Sequence, residues 1–352
     1  MFIALFLLFI ACLCLSSFEE RLNERGKKLS FILLGIVMIL IAGLRIPTET
    51  PDSESYELMY YGKTLKLIEP TFILFSNFLL DLSLGVNALF LTYAAISIPL
   101  RLTAIWKLSN LPLLTLCIYI SHYYQLHDIV EMRCAVASAL FLLAIYYRLE
   151  QKTILCLLCI FCGFFFHFSA LVGIVILFLN NKPLKTWQCI VLYLIIPIGI
   201  IFYFSGLDIS QFVPSELGGE KLQIYRTLKE KGKEGELEGT PFYLSPAILL
   251  NICLYYGCLF YQQLLTVKYK YFPFFIKIMG IAFICKFTLG SISSVLASRL
   301  FEYFDVVSIF LWTASIYAFS PLNIGKCIIN LASTIRFLLS SLFYVLGLGV
   351  NH

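Results

Sequence analysis

Three arginines, four acids and a histidine stand out because of the company they keep. Arg45, Arg133 and Arg299, with Asp52, Glu69, Glu131, Glu302 and His167, lie beside or inside long apolar blocks. An ionised side chain deep in a bilayer costs about 2.5–3.5 kcal/mol on insertion scales, so such residues need a reason to be there. The planar guanidinium fork suits phosphate and pyrophosphate oxygens. A nearby carboxylate can take a proton from a hydroxyl, and a histidine at a helix break can bind a polar substrate or pass a proton. Structural readings stand beside these. Arg45 could be an interfacial anchor, Arg133 an ion pair with Asp128 or Glu131, and Arg299 with Glu302 an i, i+3 helix pair. His167 sits among Phe164, Phe165, Phe166 and Phe168 and could be a core histidine, while His122, His127 and His352 read as incidental. Most tyrosines and phenylalanines read as belt or lipid-facing residues.

The elements that must position these groups are membrane helices. Hydrophobic residues make up 60% of the 352-residue chain and charged residues 13%, a balance that excludes an ordinary soluble domain. The expected fold class is all-α and polytopic, one integral membrane domain over 1–352 with roughly 11–13 spans of about 20 residues or fewer. Candidate spans are 2–16, 29–44, 86–100, 111–126, 129–147, 153–179, 188–205, 244–266, 271–289, 300–319 and a segment within 328–350. Residues 2–16 lack a basic leader and an A-x-A site, and are expected as an uncleaved first span. A net charge of +5 fits basic loops and gives no ground for nucleic-acid binding.

Loop charge sets the expected orientation. Arg21, Arg25, Lys27 and Lys28 place loop 17–28 inside. Residues 45–85 then emerge outside, with 71–83 too short to cross and expected as a re-entrant or interfacial helix. Arg101 and Lys107 belong to the next inner loop, 124–130 return outside, and Arg148 and Lys152 are inside. Breaking 153–179 into a hairpin between Gly163 and His167 brings both Lys182/Lys185 and Lys268/Lys270 inside. Loop 206–243 becomes a long outer loop, a linker or a polar lid over an outer site. Arg336 suggests an interfacial helix followed by a short span. This topology gathers Arg45, Asp52, Tyr56, Glu69, His122, His127, Asp128, Glu131, Arg133, His167, Arg299, Glu302 and Tyr303 near the outer face.

Other chemistries find no support. Cys156, Cys159 and Cys162 are spaced by three but read as small apolar residues, with no second ligand cluster. No P-loop, nucleotide-binding glycine motif or Ser-His-Asp order occurs. An enzyme without a nucleotide site and with an outward basic cluster should use a preactivated, lipid-linked donor.

Four ordered segments resemble the EpsG-like, Wzy-type family of polysaccharide polymerases. Arg45 with P-D-S-E-S-Y (Pro51 to Tyr56) is similar to its R…D-x-x-x-Y segment, and E-P-T-F-I-L-F (Glu69 to Phe75) to its E-x-x-F stretch. M-R-C-A-V-A-S-A-L-F-L-L-A (Met132 to Ala144) followed by F-F-H-F-S-A-L (Phe165 to Leu171) resembles its R-Q-x-x-A helix and F-H-x-S-A-L break. S-R-L-F-E-Y-F (Ser298 to Phe304) resembles its late R-x-x-x-Y-F. Cys134 stands where the family has glutamine, and the usual glycine before Asp52 is missing.

The resemblance implies a GT-C-like membrane fold in a bacterial inner membrane. It implies joining of undecaprenyl-pyrophosphate-linked oligosaccharide repeats at the outer side, into O-antigen, capsule or exopolysaccharide. The expected transfer is inverting, without metal or other cofactor. Asp52, Glu69, Arg133, His167 and Arg299 are the expected catalytic residues, with Arg45, Tyr56, Glu131, Glu302 and Tyr303 binding substrate. Expected partners are the lipid-linked oligosaccharides, membrane lipids, a chain-length regulator and a flippase. A polysaccharide ligase using the same donor, and a flippase or other secondary transporter, are the alternatives.

Overall fold

A computed structural model describes residues 1–62, 69–205, 246–290 and 294–342. All regular structure among these residues is helical, with no strand. Loop 206–243 and its expected lid role lie outside the described residues. Among the described residues, six helices are long and apolar enough to cross a membrane, or eight if each of two bent pairs counts as one span. Four more apolar helices are shorter: Phe2–Ser17, Pro112–Ser121, Thr153–Phe166 and Phe168–Phe178. The expected 11–13 spans thus resolve into long apolar helices and shorter ones, of which Pro112–Ser121 is buried throughout while the other three expose apolar faces.

The chain forms two compact units, Met1–Asn180 with Trp312–Asn351, and Asn181–Leu311. The first unit begins with α1 (Phe2–Ser17) and α2 (Glu24–Gly43). Helix α2 starts earlier than the apolar run, because Asn23 caps it by accepting from the Gly26 N–H at 2.7 Å. Next come α3 (Pro51–Tyr60) and α4 (Pro70–Asp81), each with proline in its first turn. At 12 residues α4 is about 18 Å long, short of a 30 Å hydrocarbon core, as expected for 71–83.

Helix α5 (Val86–Leu108) outruns the expected 86–100. Arg101 is therefore no loop residue. It is fully buried, donating from Nη2 to the Ala135 carbonyl (3.1 Å) and Ser138 Oγ (2.6 Å), with its guanidinium 4.9 Å from the Tyr119 ring centre. Interior acceptors and an aromatic face let the helix continue through the charge. Helix α6 (Pro112–Ser121) has every residue buried. Its exposed-end problem is solved by Glu19, whose carboxylate accepts from the Leu113 and Leu114 N–H groups at 2.9 and 3.0 Å. A π-helical turn, Tyr124–Val130, links α6 to α7 (Met132–Leu149) in place of an open loop.

Helix α8 (Thr153–Phe166) ends where the sequence places the break, at an extended His167, and a 3₁₀ arm (Phe168–Phe178) returns. The hairpin is close: a Cβ on Gly163 would lie 3.2 Å from Ala170 Cβ. Arg148 closes its open end by donating to the Leu177 and Leu179 carbonyls at 3.1 and 3.0 Å.

The second unit contains α9 (Thr186–Phe204), α10 (Pro246–Phe260), α11 (Gln262–Lys268), α12 (Phe272–Leu289) and α13 (Ser294–Asp305). The expected span 244–266 is bent by 84° between α10 and α11. The expected span 300–319 is likewise broken by 47° between α13 and α14 (Ser308–Ser315), which ends in a 3₁₀ turn. Inside this unit the Tyr255 hydroxyl donates to the Leu192 carbonyl (2.9 Å), and Asn251 to Asp305 (2.6 Å).

Helix α15 (Leu322–Ser340) returns to the first unit and corrects the reading of the last block. It starts before 328, at Leu322, while the short span expected after it lies outside the described residues. Arg336 is not interfacial: it is 2% exposed, with its guanidinium 5.2 Å from the Tyr123 ring, next to a Phe337–Phe9 stack at 4.4 Å. The tyrosine expectation also needs correction. Tyr60, Tyr93, Tyr119, Tyr123, Tyr124 and Tyr303 are among the largest fully buried side chains.

Candidate functional site

The first unit brings most of the suspected residues together where α3, α4, the start of α7 and the α8 break meet. Their common floor is an apolar cluster including Tyr56, Tyr60, Phe72, Phe90, Tyr93 and Met132. Above it, Arg133 Nη1 donates to the Glu69 carboxylate, across 64 residues of sequence. Glu69 is 2% exposed and sits just before Pro70, at the start of α4. Arg133 remains partly open, at 21%. Its guanidinium lies 5.2 Å from the Tyr56 ring and 5.9 Å from the Phe72 ring. Its Nε has no hydrogen-bond partner. Arg133 is thus ion-paired with Glu69, a partner the sequence reading does not give it. Asp128 instead accepts from Ser97 (2.5 Å) and Tyr119, in the interior.

Asp52 and Tyr56 share one side of α3, four residues apart. Burial pushes the Tyr56 hydroxyl well up; Arg133 pulls it down, and Asp52 and Glu131 push it further up. These four residues therefore share one local field. Asp52 and Glu131 are both half-buried.

Arg45 is built in more deeply. It is 2% exposed, with Nε on Ser53 Oγ (2.9 Å), Nη1 on the Ala42 carbonyl, Nη2 3.9 Å from Met132 Sδ and the guanidinium 4.0 Å over Phe90. Burial pulls its guanidinium down to about 10, so it stays charged at neutral pH. Arg45 ties the end of α2 to α3, α5 and α7, and its donors are already engaged.

His167 joins the group through topology. Helices α7 and α8 are joined by a short turn and run antiparallel, which returns the α8 end to the start of α7. Thr71, two residues after Glu69, donates to the Phe165 carbonyl at 2.7 Å. Phe166 packs edge-on against Tyr93 at 6.0 Å. The His167 Nδ1 is 2.7 Å from Ser169 Oγ, which fixes the ring at the break.

Arg299, Glu302 and Tyr303 belong to the second unit, on α13. Leu300, Phe301 and Phe304 bury one face of that helix, and Tyr303 is 1% exposed. Arg299 projects outward and Glu302 is half-buried.

Two groups escaped the sequence reading. His122 and His127 are buried, with His122 Nδ1 2.7 Å from Ser340 Oγ. More telling, His127, Glu131 and Cys134 bring ligand-capable atoms within 4.8 Å of one another. Their i, i+4, i+7 spacing was the available signal.

Buried arginines, paired acids and tyrosines on apolar helices define a multi-pass membrane protein with a polar site on its short helices. The class is made specific by the family profile that matches residues 28–349: the chain belongs to the EpsG family. That family is Wzy-like, and membership gives the protein a polymerase-like role in polysaccharide biosynthesis. No curated protein and no solved structure matches the chain.

Proposed function

We propose that the protein polymerises undecaprenyl-pyrophosphate-linked oligosaccharide repeats at the outer face of the bacterial inner membrane, by inverting glycosyl transfer. The observation that carries this reading is Arg133: partly open, held by Glu69 beside two aromatic rings, with its Nε donor uncommitted. Such a group can grip pyrophosphate oxygens and stabilise the charge that grows as undecaprenyl pyrophosphate departs. Arg299, exposed on α13 of the second unit, is a further guanidinium suited to phosphate oxygens. Arg45 acts by positioning, since its donors are engaged within the fold.

Asp52 is the general base for the acceptor hydroxyl. Glu69 is already bound to Arg133, which weakens it as a base; its role is to aim the guanidinium. His167 and Tyr56 orient the sugars or the phosphate, with Glu131 beside them; on α13, Glu302 is a further polar contact and the buried Tyr303 acts by positioning. Chain-length control and repeat delivery fall to a separate regulator and a flippase.

The test is polymer length in cells. Arg133→Ala and Arg299→Ala should leave the protein inserted but abolish long chains, with single lipid-linked repeats accumulating. Retained long chains in both variants would remove the pyrophosphate clamp. Accumulation of full-length lipid-linked polymer would instead identify a ligase.

A further inference from the structure

Behind Arg133, the joint between the π-helical turn and α7 carries three residues whose side chains converge. His127 lies in the turn, Glu131 precedes the first residue of α7 and Cys134 is in its first turn. The change from π-helical turn to α-helix at Glu131 folds the three together, and their ligand-capable atoms lie within 4.8 Å of one another. His127 is 0% and Cys134 7% exposed.

The hydrogen bonds around His127 fix its chemistry. Ser138 Oγ donates its one proton to the Ala135 carbonyl (3.2 Å) and accepts from Arg101 Nη2 (2.6 Å). Ser138 Oγ also lies 3.2 Å from His127 Nδ1, and with its own proton on the Ala135 carbonyl we assign the proton of this contact to Nδ1. The imidazole is thereby held with its proton on Nδ1 and a lone pair on Nε2. That Nε2 is buried and has no hydrogen-bond partner.

We propose that His127 Nε2, the Glu131 carboxylate and Cys134 Sγ hold one divalent ion of the zinc class. Imidazole, thiolate and carboxylate together match a borderline-soft cation, and three protein ligands leave a fourth position for water. Tetrahedral bonds of about 2.0–2.3 Å need ligand atoms roughly 3.3–3.8 Å apart, so side-chain rotation of Glu131 and Cys134 closes the remaining gap. The outer partner on Nδ1 is the kind that orients metal-bound histidines. On binding, the Cys134 thiol releases its proton to solvent and the thiolate takes the metal. The first turn of a helix favours that anion. The ion pins the joint between Glu131 and Cys134, and Arg133 leaves the helix from within that joint. Its role is to aim Arg133, and the binding claim stands whether or not the chain is a polymerase.

The test is cobalt substitution. Full-length protein in detergent, stripped with chelator, is titrated with Co²⁺ alone. The expected result is one Co²⁺ per chain, thiolate-to-cobalt charge transfer in the near ultraviolet, and displacement by Zn²⁺. Cys134→Ser should remove the charge-transfer band, and His127→Gln should weaken binding about tenfold or more. Replacing Cys156, Cys159 and Cys162 by serine should leave the band intact. If Cys134→Ser does not fold, zinc-edge X-ray absorption on the wild type reads the same site, and one sulfur neighbour is expected. No charge-transfer band in the wild type, its persistence in Cys134→Ser, or a zinc shell without sulfur overturns the proposal.

Discussion

Arg133 and Glu69 constrain each other more than either constrains its own helix. Glu69 is nearly inaccessible, so removing Arg133 leaves a buried carboxylate with its strongest partner gone. Breaking a buried pair costs about 3–5 kcal/mol, and the open side of Arg133 places this one near the lower end. Glu69→Ala and Arg133→Ala should each lower thermal stability in detergent, while the double variant falls well short of their sum. Additive losses would mean the two residues act separately. Arg45 should behave differently. Its fork reaches Ser53, Ala42 and Met132 at once, a geometry an ammonium cannot reproduce. Arg45→Lys is expected to reduce stability by about 1–3 kcal/mol with polymer length little changed in the protein that survives. A normal melting temperature with shortened polymer would give Arg45 a substrate contact instead.

At the level of elements, short helices need outside help to end and to pack. Helix α6 begins without a side-chain cap of its own, and Glu19 supplies one from another part of the chain. Glu19→Ala strands two N–H groups in the interior, at roughly 1–3 kcal/mol each. The variant should melt lower, and Glu19→Gln, which keeps one acceptor oxygen, should recover part of the loss. The α8 hairpin closes through Gly163, which packs beside Ala170 and Ala137. Gly163→Leu forces the arms apart and should cost about 1–3 kcal/mol by overpacking. Because the break carries His167 and is tied to α4 through Thr71 and Phe165, the same variant should shorten polymer. Unchanged polymer length in a folded Gly163→Leu protein would separate His167 from the reaction.

For the whole molecule, the decisive property is which side of the membrane the short helices occupy. Basic loop 17–28 argues for cytoplasm there, and hence for an outer α3–α4 region. On a cysteine-free background, Gly62→Cys should react with an impermeant maleimide in intact cells, whereas Glu150→Cys should react only after permeabilisation. Gly62 is exposed just after α3, and Glu150 is exposed at the α7–α8 turn. The reversed pattern would put Arg133 on the cytoplasmic side, away from any outer lipid-linked donor.

The sequence by itself determined the all-helical membrane class, the short α4, the break at His167 and the identity of most residues now gathered around Arg133. Those features follow from local rules: apolar run length, proline and aromatic breaks, and the cost of charge in a bilayer. Only the tertiary structure decided the partners. It matched Arg133 with Glu69, drew Arg101 and Arg336 into the interior, turned several tyrosines inward and brought Cys134 towards His127. Pairing between distant segments depends on how helices pack, and charge placement along a chain carries no record of which opposite charge lies 64 residues away.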